Sequence, residues 1–415
     1  MLDLRAIRRD PEGVRAALAR RRAGDGLDEV LELDRRHREL LPEVERLRAE
    51  RNAASDRIGA AKRAGKDAGQ AIAAMQAVAG RIKGLEGEVG TVRERLDAAM
   101  VGLPNLPEPS APAEDEVLRE EGTPGATGRD HLELLGSWVD LEAGARLSGA
   151  RFAYLRGPLV LLELALVRWA LDVVGPHGFE PVVPPVLVRE EALYGTGMLP
   201  DTEQQIYALP EDDLFLLGTS EVALASLHAG QVLAEEDLPR RYAGFSPCFR
   251  REAGAAGKDT RGIFRVHQFD KVEMFSFVRP EDSGDEHERI LAIEEEILGA
   301  LEIPYRVVNI AAWDLGASAA KKYDLEAWLP GQARFRELTS CSNTTDFQAR
   351  RLDARMRPSE GGSPRTLHTL NGTAVAVGRT IIALVENHQD PDGTVRVPAV
   401  LHPYGAPETI RRPDA

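Results

Sequence analysis

Cysteine is nearly missing from this sequence: Cys248 and Cys341 are the only two among 415 residues. They stand far apart with no CxxC or Cys/His spacing, so two reduced thiols are expected rather than a disulfide framework or a structural zinc site. Long apolar runs are missing as well. No window approaches the ~18 consecutive apolar residues of a membrane span, and the opening MLDLRAIRRD lacks the apolar stretch of a secretory leader; a cytoplasmic protein is expected. Neither GxGxxG nor GxxxxGK(S/T) occurs, which removes the main support for Rossmann and P-loop readings. Positive charge is in short supply too. The 52 Lys+Arg against 67 Asp+Glu leave −15, a balance that by itself disfavours a polyanionic partner. The shortfall is uneven, because residues 1–100 hold 21 basic against 18 acidic residues and the rest of the chain carries the whole deficit.

What is present is chain enough for two or three domains at ~100–200 residues each, with 43% hydrophobic and 29% charged residues, the balance of a globular protein. Between about residues 28 and 100 proline and aromatic residues are nearly absent, and apolar residues recur at spacings of three and four. Met75, Val78, Ile82, Leu85, Val89, Val92, Leu96 and Ala99 make one seam. Val30, Leu33, His37, Leu40, Val44, Leu47, Arg51, Ala54 and Ile58 make a less regular one. Gly65 and Gly69 supply a reversal beside the basic Lys62, Arg63 and Lys66. Two helices of ~35 residues, about 50 Å long, should therefore fold back as an antiparallel coiled coil. Pro42 in the first helix and Gly80, Gly84, Gly87 and Gly90 at outward positions of the second each cost helix stability. They leave two readings open: a solvated face that tolerates them, or an arm that bends or is closely approached.

Prolines from Pro104 to Pro112 end this segment. Beyond about residue 130 come a long apolar helix over 159–174 and β-rich runs near 214–217, 242–249, 263–278, 305–310, 334–339 and 367–377. They predict an antiparallel sheet flanked by helices, and the fold class is α+β with an N-terminal helical arm.

Phe245–Gly254 and Ile263–Phe275 read as two strands joined by a polar loop. Alternate strand residues share a face, so Arg250 goes with Glu252, and His267, Phe269, Lys271 and Glu273 go together. An Arg fork matches phosphate oxygens and a ring stacks on a purine, so a nucleotide site stands beside the plainer reading of a solvated charged hairpin. Near the C-terminus Leu370–Gly378 runs into a helix with Arg379 at the junction, where backbone N–H groups and a guanidinium suit a phosphate. That signal alone is weak.

Phe249-Arg250-x-Glu252-Ala253-Gly254, Thr260-Arg261-Gly262 and His267-Gln268-Phe269-x-Lys271-Val272-Glu273 together resemble motif 2 of the class II aminoacyl-tRNA synthetases, in the form typical of the seryl-tRNA synthetase family. Leu217–Val222, Arg336–Asn343 with Asp346–Arg351, and His368–Thr373 with Gly378-Arg379 and Glu386-Asn387 are similar to that family's serine loop, metal-binding strand and motif 3. Gly178–Val186 is similar to motif 1, which builds the family's dimer interface.

The resemblance implies a tRNA-binding domain with its hairpin over 1–103, a linker over 104–130 and a class II catalytic domain over 131–415. It implies ATP binding by Arg250, Arg251, Glu252, Val266, Phe269, Glu337, Leu338, Thr339, Ser340 and Arg379, with Arg250, Glu252 and Arg379 catalytic. Mg²⁺ would sit on Glu337 and Ser340, without zinc. Val266 has the opposite strand parity from Phe269, so a backbone contact is expected there. Serine would meet Thr219, Ser220, Glu221, Arg250, Glu273, Asn371 and Thr373. The tRNA would meet Arg35, Arg51, Lys62, Arg63 and Lys66.

The implied activity is ATP-dependent activation of L-serine and its transfer to tRNA(Ser), with tRNA(Sec) left open as a second acceptor, by a cytoplasmic homodimer. Ser220, Arg251 and Thr373 depart from the alanine, serine and serine more usual in the family. Two rivals are a serine-adenylating relative that loads a carrier protein, against which the arm argues, and a non-catalytic coiled-coil RNA-binding protein. The latter leaves Arg250, Glu273, Glu337 and Arg379 without a reason to occur together.

Overall fold

A computed structural model describes residues 1–65, 67–200, 204–253, 259 and 261–413. Lys66, one of the expected tRNA contacts, and Gly254 and Thr260 of the motif 2 pattern lie outside the described residues. The chain divides into two compact units, Leu2–Pro104 and Asn105–Ala415, the second taking in Met1.

The first unit is helical: α1 (Leu4–Arg9), α2 (Pro11–Arg20), α3 (Leu27–Arg63) and α4 (Gly69–Gly102). Asp3 and Asp10 cap the two short helices by accepting N–H groups of Arg5 and Gly13, and Pro11 occupies a first-turn position that needs no donor. Along α3 and α4 the seam positions are buried or half-buried while most of their neighbours are exposed, so the spacing of three and four faces the partner helix. Pro42 sits at an exposed position within an unbroken α3. A Cβ placed at Gly80, Gly84, Gly87 or Gly90 would meet open space, which favours the solvated face over close approach. Ion pairs cross the hairpin from Arg36 to Glu88, Arg48 to Glu86, Arg81 to Glu43 and Arg95 to Glu29. At its base Asp34 is buried on α3 and accepts from Arg8 at 2.8 Å and Arg38 at 3.0 Å. Burial opposes ionisation of Asp34, yet the two guanidinium groups outweigh it and leave the carboxyl below its usual range.

The second unit is built on a sheet of eight strands. These are β1 (Glu116–Glu121), β2 (Glu180–Val182), β3 (Arg240–Phe249), β4 (Gln268–Val278), β5 (Tyr305–Asn309), β6 (Lys321–Leu329), β7 (Arg334–Thr345) and β8 (His368–Ala376). Their order is β1-β5-β6-β7-β8-β4-β3-β2, antiparallel throughout except where β2 lies beside β3. One face is covered by α5 (Pro158–Val174), α7 (Ser283–Ala300) and α9 (Val377–Asn387). Leu162 and Leu166, Ile290 and Ile297, and Ile381 and Leu384 from these helices close a core with Val272, Met274, Leu325 and Ala374. On the other face α6 (Glu221–Ser226) and α8 (Phe347–Leu352) pack with Phe275 and Phe277 through Leu224, Ala349 and Leu352. Register shifts interrupt the ladders at Leu118 in β1, at Leu338 and Thr344 in β7 and at Ala374 in β8. Two of these bulges matter for the site, Leu338 as an extra residue between the partners of Leu325 and Glu326 and Ala374 as one between the partners of Val272 and Glu273.

Two expectations change here. Residues 104–130, read as a linker, supply β1 to the sheet edge, and the Asn105 side-chain amide donates to the Ser318 and Thr344 carbonyls, both at 2.9 Å. The strand's Glu-Val-Leu-Arg-Glu-Glu is exposed along its whole length, so no apolar alternation marks it. Ile263–His267, read as the start of a strand, is not in the ladder, which begins at Gln268. Gly262 precedes it at φ +77°, where a Cβ would stand 2.1 Å from His131 Nε2. The Ile263 N–H donates to that nitrogen at 3.3 Å, while Glu386 accepts from the His131 backbone at 3.1 Å and from the Gly331 N–H at 2.9 Å. A buried His–Glu pair thus fixes the return of the loop and leaves no ladder partner for it.

Replacing Asp34 by Ala is expected to destabilise the helical unit by about 1.5–3 kcal/mol at pH 7, the range of hydrogen bonds to charged groups. Because the folded carboxyl ionises below its ordinary value, the difference should be present above about pH 4 and fade as pH falls through the lowered value. Thermal unfolding of both chains at pH 7 and pH 3, followed by helicity, checks this.

Candidate active site

Where the helix-free part of the sheet lies open, a cavity of about 360 Å³ is lined from β4, β6, β7, β8 and the segments that flank them. Strand parity puts Phe269, Lys271 and Glu273 of β4 on its wall, with Asn371 and Thr373 of β8, Ser340 and Ser342 of β7, and Lys322 of β6. Cross-strand pairing sets their neighbours: Glu273 faces Thr373, and Asn371, Ser342 and Lys322 line up across three strands.

One end is rich in cations. Arg250, just past β3, donates through Nε to the Gly218 carbonyl at 3.2 Å and lies 5.3 Å from the centre of the Phe269 ring. Arg379, at the start of α9, donates to the Glu337 carbonyl oxygen at 3.0 Å and stands 3.5 Å from its carboxylate. The Phe264 ring carries two guanidinium groups, Arg336 at 4.0 Å and Arg379 at 4.7 Å. Arg265 pairs with Glu252 at 2.6 Å. Glu252 adopts φ +50°, a conformation that costs a non-glycine residue energy and is held by its surroundings.

The other end is lined by carboxylates. Glu221, at the first position of α6, accepts from Gln348 Nε2 at 2.7 Å and Asn371 Nδ2 at 3.0 Å. Burial raises it to about 7, and the nearby charge of Glu273 adds to that. Glu273 is raised by burial too, although the Lys271 ammonium opposes the shift. Lys271 forms an ion pair with Glu273 and donates to Thr219 Oγ1 at 2.7 Å. Thr373 Oγ1 donates to Glu273 Oε2 at 3.3 Å.

Glu337 and Ser340 also line the cavity, Glu337 beside Arg379 at the cationic end. Burial opposes ionisation of Glu337, but Arg379, Lys322 and Arg250 outweigh it and hold the group below its usual range. Asp324, opposite Ser340 in the ladder, is pushed up to about 7 by burial against the pull of Lys322. An ionised carboxylate and a hydroxyl are hard oxygen donors that fit Mg²⁺. No group of three or more His, Cys, Asp or Glu forms a metal site among the described residues. The rest of a Mg²⁺ shell would therefore be substrate phosphate and water, as is usual for that ion.

Of the residues expected from the sequence, Thr219, Glu221, Arg250, Glu252, Val266, Phe269, Glu273, Glu337, Leu338, Thr339, Ser340, Asn371, Thr373 and Arg379 all line this cavity. Ser220 and Arg251 do not. The Ser220 hydroxyl is buried and donates away from the cavity to the Gly244 carbonyl at 3.2 Å, and Arg251 follows the end of β3, its N–H bound to the Gln205 carbonyl at 2.8 Å. The pairing of His267 with Phe269 also fails, because His267 precedes the ladder and its Nδ1 donates to the Arg250 carbonyl at 2.9 Å. Sequence reading passed over Lys271 as a site residue, although the parity that selected Phe269 and Glu273 includes it. It also passed over Gln348, although it lies in the Asp346–Arg351 stretch that resembles a family motif, and Lys322 and Arg265, for which no local signal exists. In the helical unit Arg35 is held by Glu32 and Glu39, each at 2.5 Å, Arg51 donates to Asn52 at 3.4 Å, and Lys62 and Arg63 end α3.

Lys271→Met should cost about 3–5 kcal/mol, because removing one partner of a buried pair strands the other's charge. Lys271→Met combined with Glu273→Leu should recover most of that loss. Chemical denaturation of the two single variants and the double variant measures the coupling.

A family model for the seryl-tRNA synthetase N-terminal domain matches residues 1–107, and one for the class II tRNA synthetase core domain (G, H, P, S and T) matches residues 207–388. The chain is 48% identical to a serine–tRNA ligase of Thermobifida fusca, covering 97% of each, and 50% identical to one of Beutenbergia cavernae, covering 97% of this chain and 98% of the relative. It superposes on the crystal structure of the Pyrococcus horikoshii seryl-tRNA synthetase complexed with ATP with a TM-score of 0.94 at 43% identity, covering 99% of this chain and all of the other. The fold, the order of the motifs and the full-length likeness agree: the chain belongs to the seryl-tRNA synthetase family of class II aminoacyl-tRNA synthetases.

Proposed function

We propose that this chain, a serine–tRNA ligase by family, makes seryl-adenylate in the cavity described above and transfers the seryl group to tRNA(Ser). The observation that carries the reading is the joining of a cationic end to a carboxylate-lined end in one cavity. A polyphosphate suits the first and an α-ammonium the second. Phe269 offers a ring for the adenine, and Arg250 and Arg379 face the phosphates. A serine carboxylate oxygen attacks the α-phosphorus in line, the bond to the bridging oxygen breaks, and pyrophosphate leaves with that electron pair. The 3′-terminal hydroxyl of the tRNA then attacks the seryl carbonyl and AMP departs. No side chain forms a bond to either intermediate; the residues position the reactants and neutralise charge that shifts between phosphate oxygens. Mg²⁺, held by Glu337 and Ser340 with the phosphates, would supply further charge neutralisation.

Thr219, Glu221 and Glu273 are placed to take the ammonium, and Asn371 and Thr373 lie at the hydroxyl side. A buried polar pocket that needs a substrate hydroxyl rejects the analogue without it by ~10⁴-fold, which sets serine apart from alanine.

The helical unit would carry the tRNA. Exposed ion pairs such as those of Arg35 are worth only ~0–1 kcal/mol, so those guanidinium groups can exchange carboxylates for phosphates, and Lys62 and Arg63 add charge near the turn. Binding should show a shallow salt dependence. A homodimer is supported by the motif 1 resemblance and by apolar side chains left exposed on α5 and after β2, among them Leu161, Leu164 and Val183. No helix among the described residues is long and apolar enough to cross a membrane, in keeping with work in the cytoplasm.

Two outcomes are expected. Full-length protein should catalyse serine-dependent ATP–pyrophosphate exchange and charge tRNA, and a chain lacking residues 28–100 should keep the exchange and lose charging; exchange without tRNA charging by the full-length protein would favour the carrier-loading reading. Glu221 is neutral below about pH 7 and binds an ammonium better when ionised. The serine KM in exchange should therefore rise as pH falls below 7, approaching tenfold per pH unit, and stay flat above it. Glu221→Gln should raise KM and flatten the profile.

A further inference from the structure

Helix α7 presents an apolar row to the back of the sheet, with Ile290, Ile293 and Ile297 all buried. Glu294 stands in that row, itself 1% exposed. A buried carboxyl is costly when its hydrogen bonds are not replaced, and a leucine would pack there at no such cost. The carboxyl reaches between two strands instead. Thr339 Oγ1 on β7 donates to Oε2 at 3.3 Å, the backbone N–H of Thr373 on β8 favours the ionised form of the same group, and Oε1 is buried with no hydrogen-bond partner among the described residues. A Cβ at Gly372 would come within 2.3 Å of Ile290 Cγ2 and 2.8 Å of Oε1, so glycine at 372 leaves room for both side chains.

These two contacts fall beside the two bulges. Thr339 follows the extra residue Leu338, and Thr373 precedes the extra residue Ala374. A bulge leaves a backbone group out of the ladder and re-aims the side chains around it. Here the re-aimed side chains are Glu337 on one strand and Thr373, opposite Glu273, on the other.

We infer that Glu294 is a positioning residue for adenylate formation: from behind the sheet its carboxyl group pins both bulges, and so ties the nucleotide end of the cavity to its amino-acid end. This rests on the reading of the cavity proposed above. Burial holds the carboxyl well above its usual range. An amide keeps its shape and an oxygen that accepts from the same donors.

The test compares Glu294→Gln with Glu294→Leu, and with Glu294→Met should the leucine variant not fold. Melting temperature, the serine and ATP KM values in pyrophosphate exchange, the ratio of serine to threonine activation, and ATP affinity by calorimetry are read for each. E294Q should stay within threefold of the parent in every reading. E294L should melt at or above the parent temperature, yet raise both KM values at least fivefold and relax serine-over-threonine discrimination. Unchanged KM values and discrimination in E294L would overturn the inference, as would E294Q impaired as much as E294L. Failure of the parent chain to support serine-dependent exchange would instead sink the proposed function. ATP affinity would then still judge Glu294: a loss in E294L but not in E294Q upholds it, and equal affinity in all three rejects it.

Discussion

The buried pair of Lys271 and Glu273, two residues apart on one strand, sets what the surrounding side chains must do. Strand parity forces both onto the same wall of the cavity. Desolvation makes each charge costly, and their attraction offsets that cost only where further hydrogen bonds complete them. Thr219 completes the ammonium and Thr373 the carboxylate. The next carboxylate along, Glu221, is pushed up to about 7 by burial and by the charge of Glu273, and is held by the amides of Gln348 and Asn371. The site is thus an electrostatic balance in which, on the proposed reading, a substrate ammonium supplies the missing positive charge.

The same reasoning separates the two ends of the cavity. At the nucleotide end cations outnumber acids, so Glu337 ionises readily and the excess charge of Arg250, Arg379 and Lys322 waits for phosphate. At the amino-acid end acids outnumber cations and wait for an ammonium. What connects them is backbone geometry, the two bulges that let β7 and β8 turn particular side chains inward.

Much of this was legible in the chain because the signals are periodic or contiguous. Seams at three and four gave the hairpin, alternation gave Phe269 and Glu273 a common wall, and the linked motifs pointed to most of the residues that line one cavity. Elements without such a signal escaped. Strand β1 is charged and exposed along its length, so neither hydropathy nor alternation reveals it. Ile263–His267 has strand-like composition, but the His131–Glu386 pair fixes it outside the ladder. Lys322, Gln348 and Glu294 matter only through residues distant in sequence, and a buried carboxyl on an apolar helix face reads locally as a flaw in the pattern. The net charge of −15 argued against a nucleic-acid partner because a whole-chain sum hides where cations cluster.

A crystal structure of the protein with a non-hydrolysable seryl-adenylate analogue tests the charge balance most directly. Adenine should lie against Phe269, the phosphate mimic between Arg250 and Arg379, and the seryl ammonium among Thr219, Glu221 and Glu273. An analogue bound outside this cavity, or with its ammonium turned toward the arginines, would contradict it.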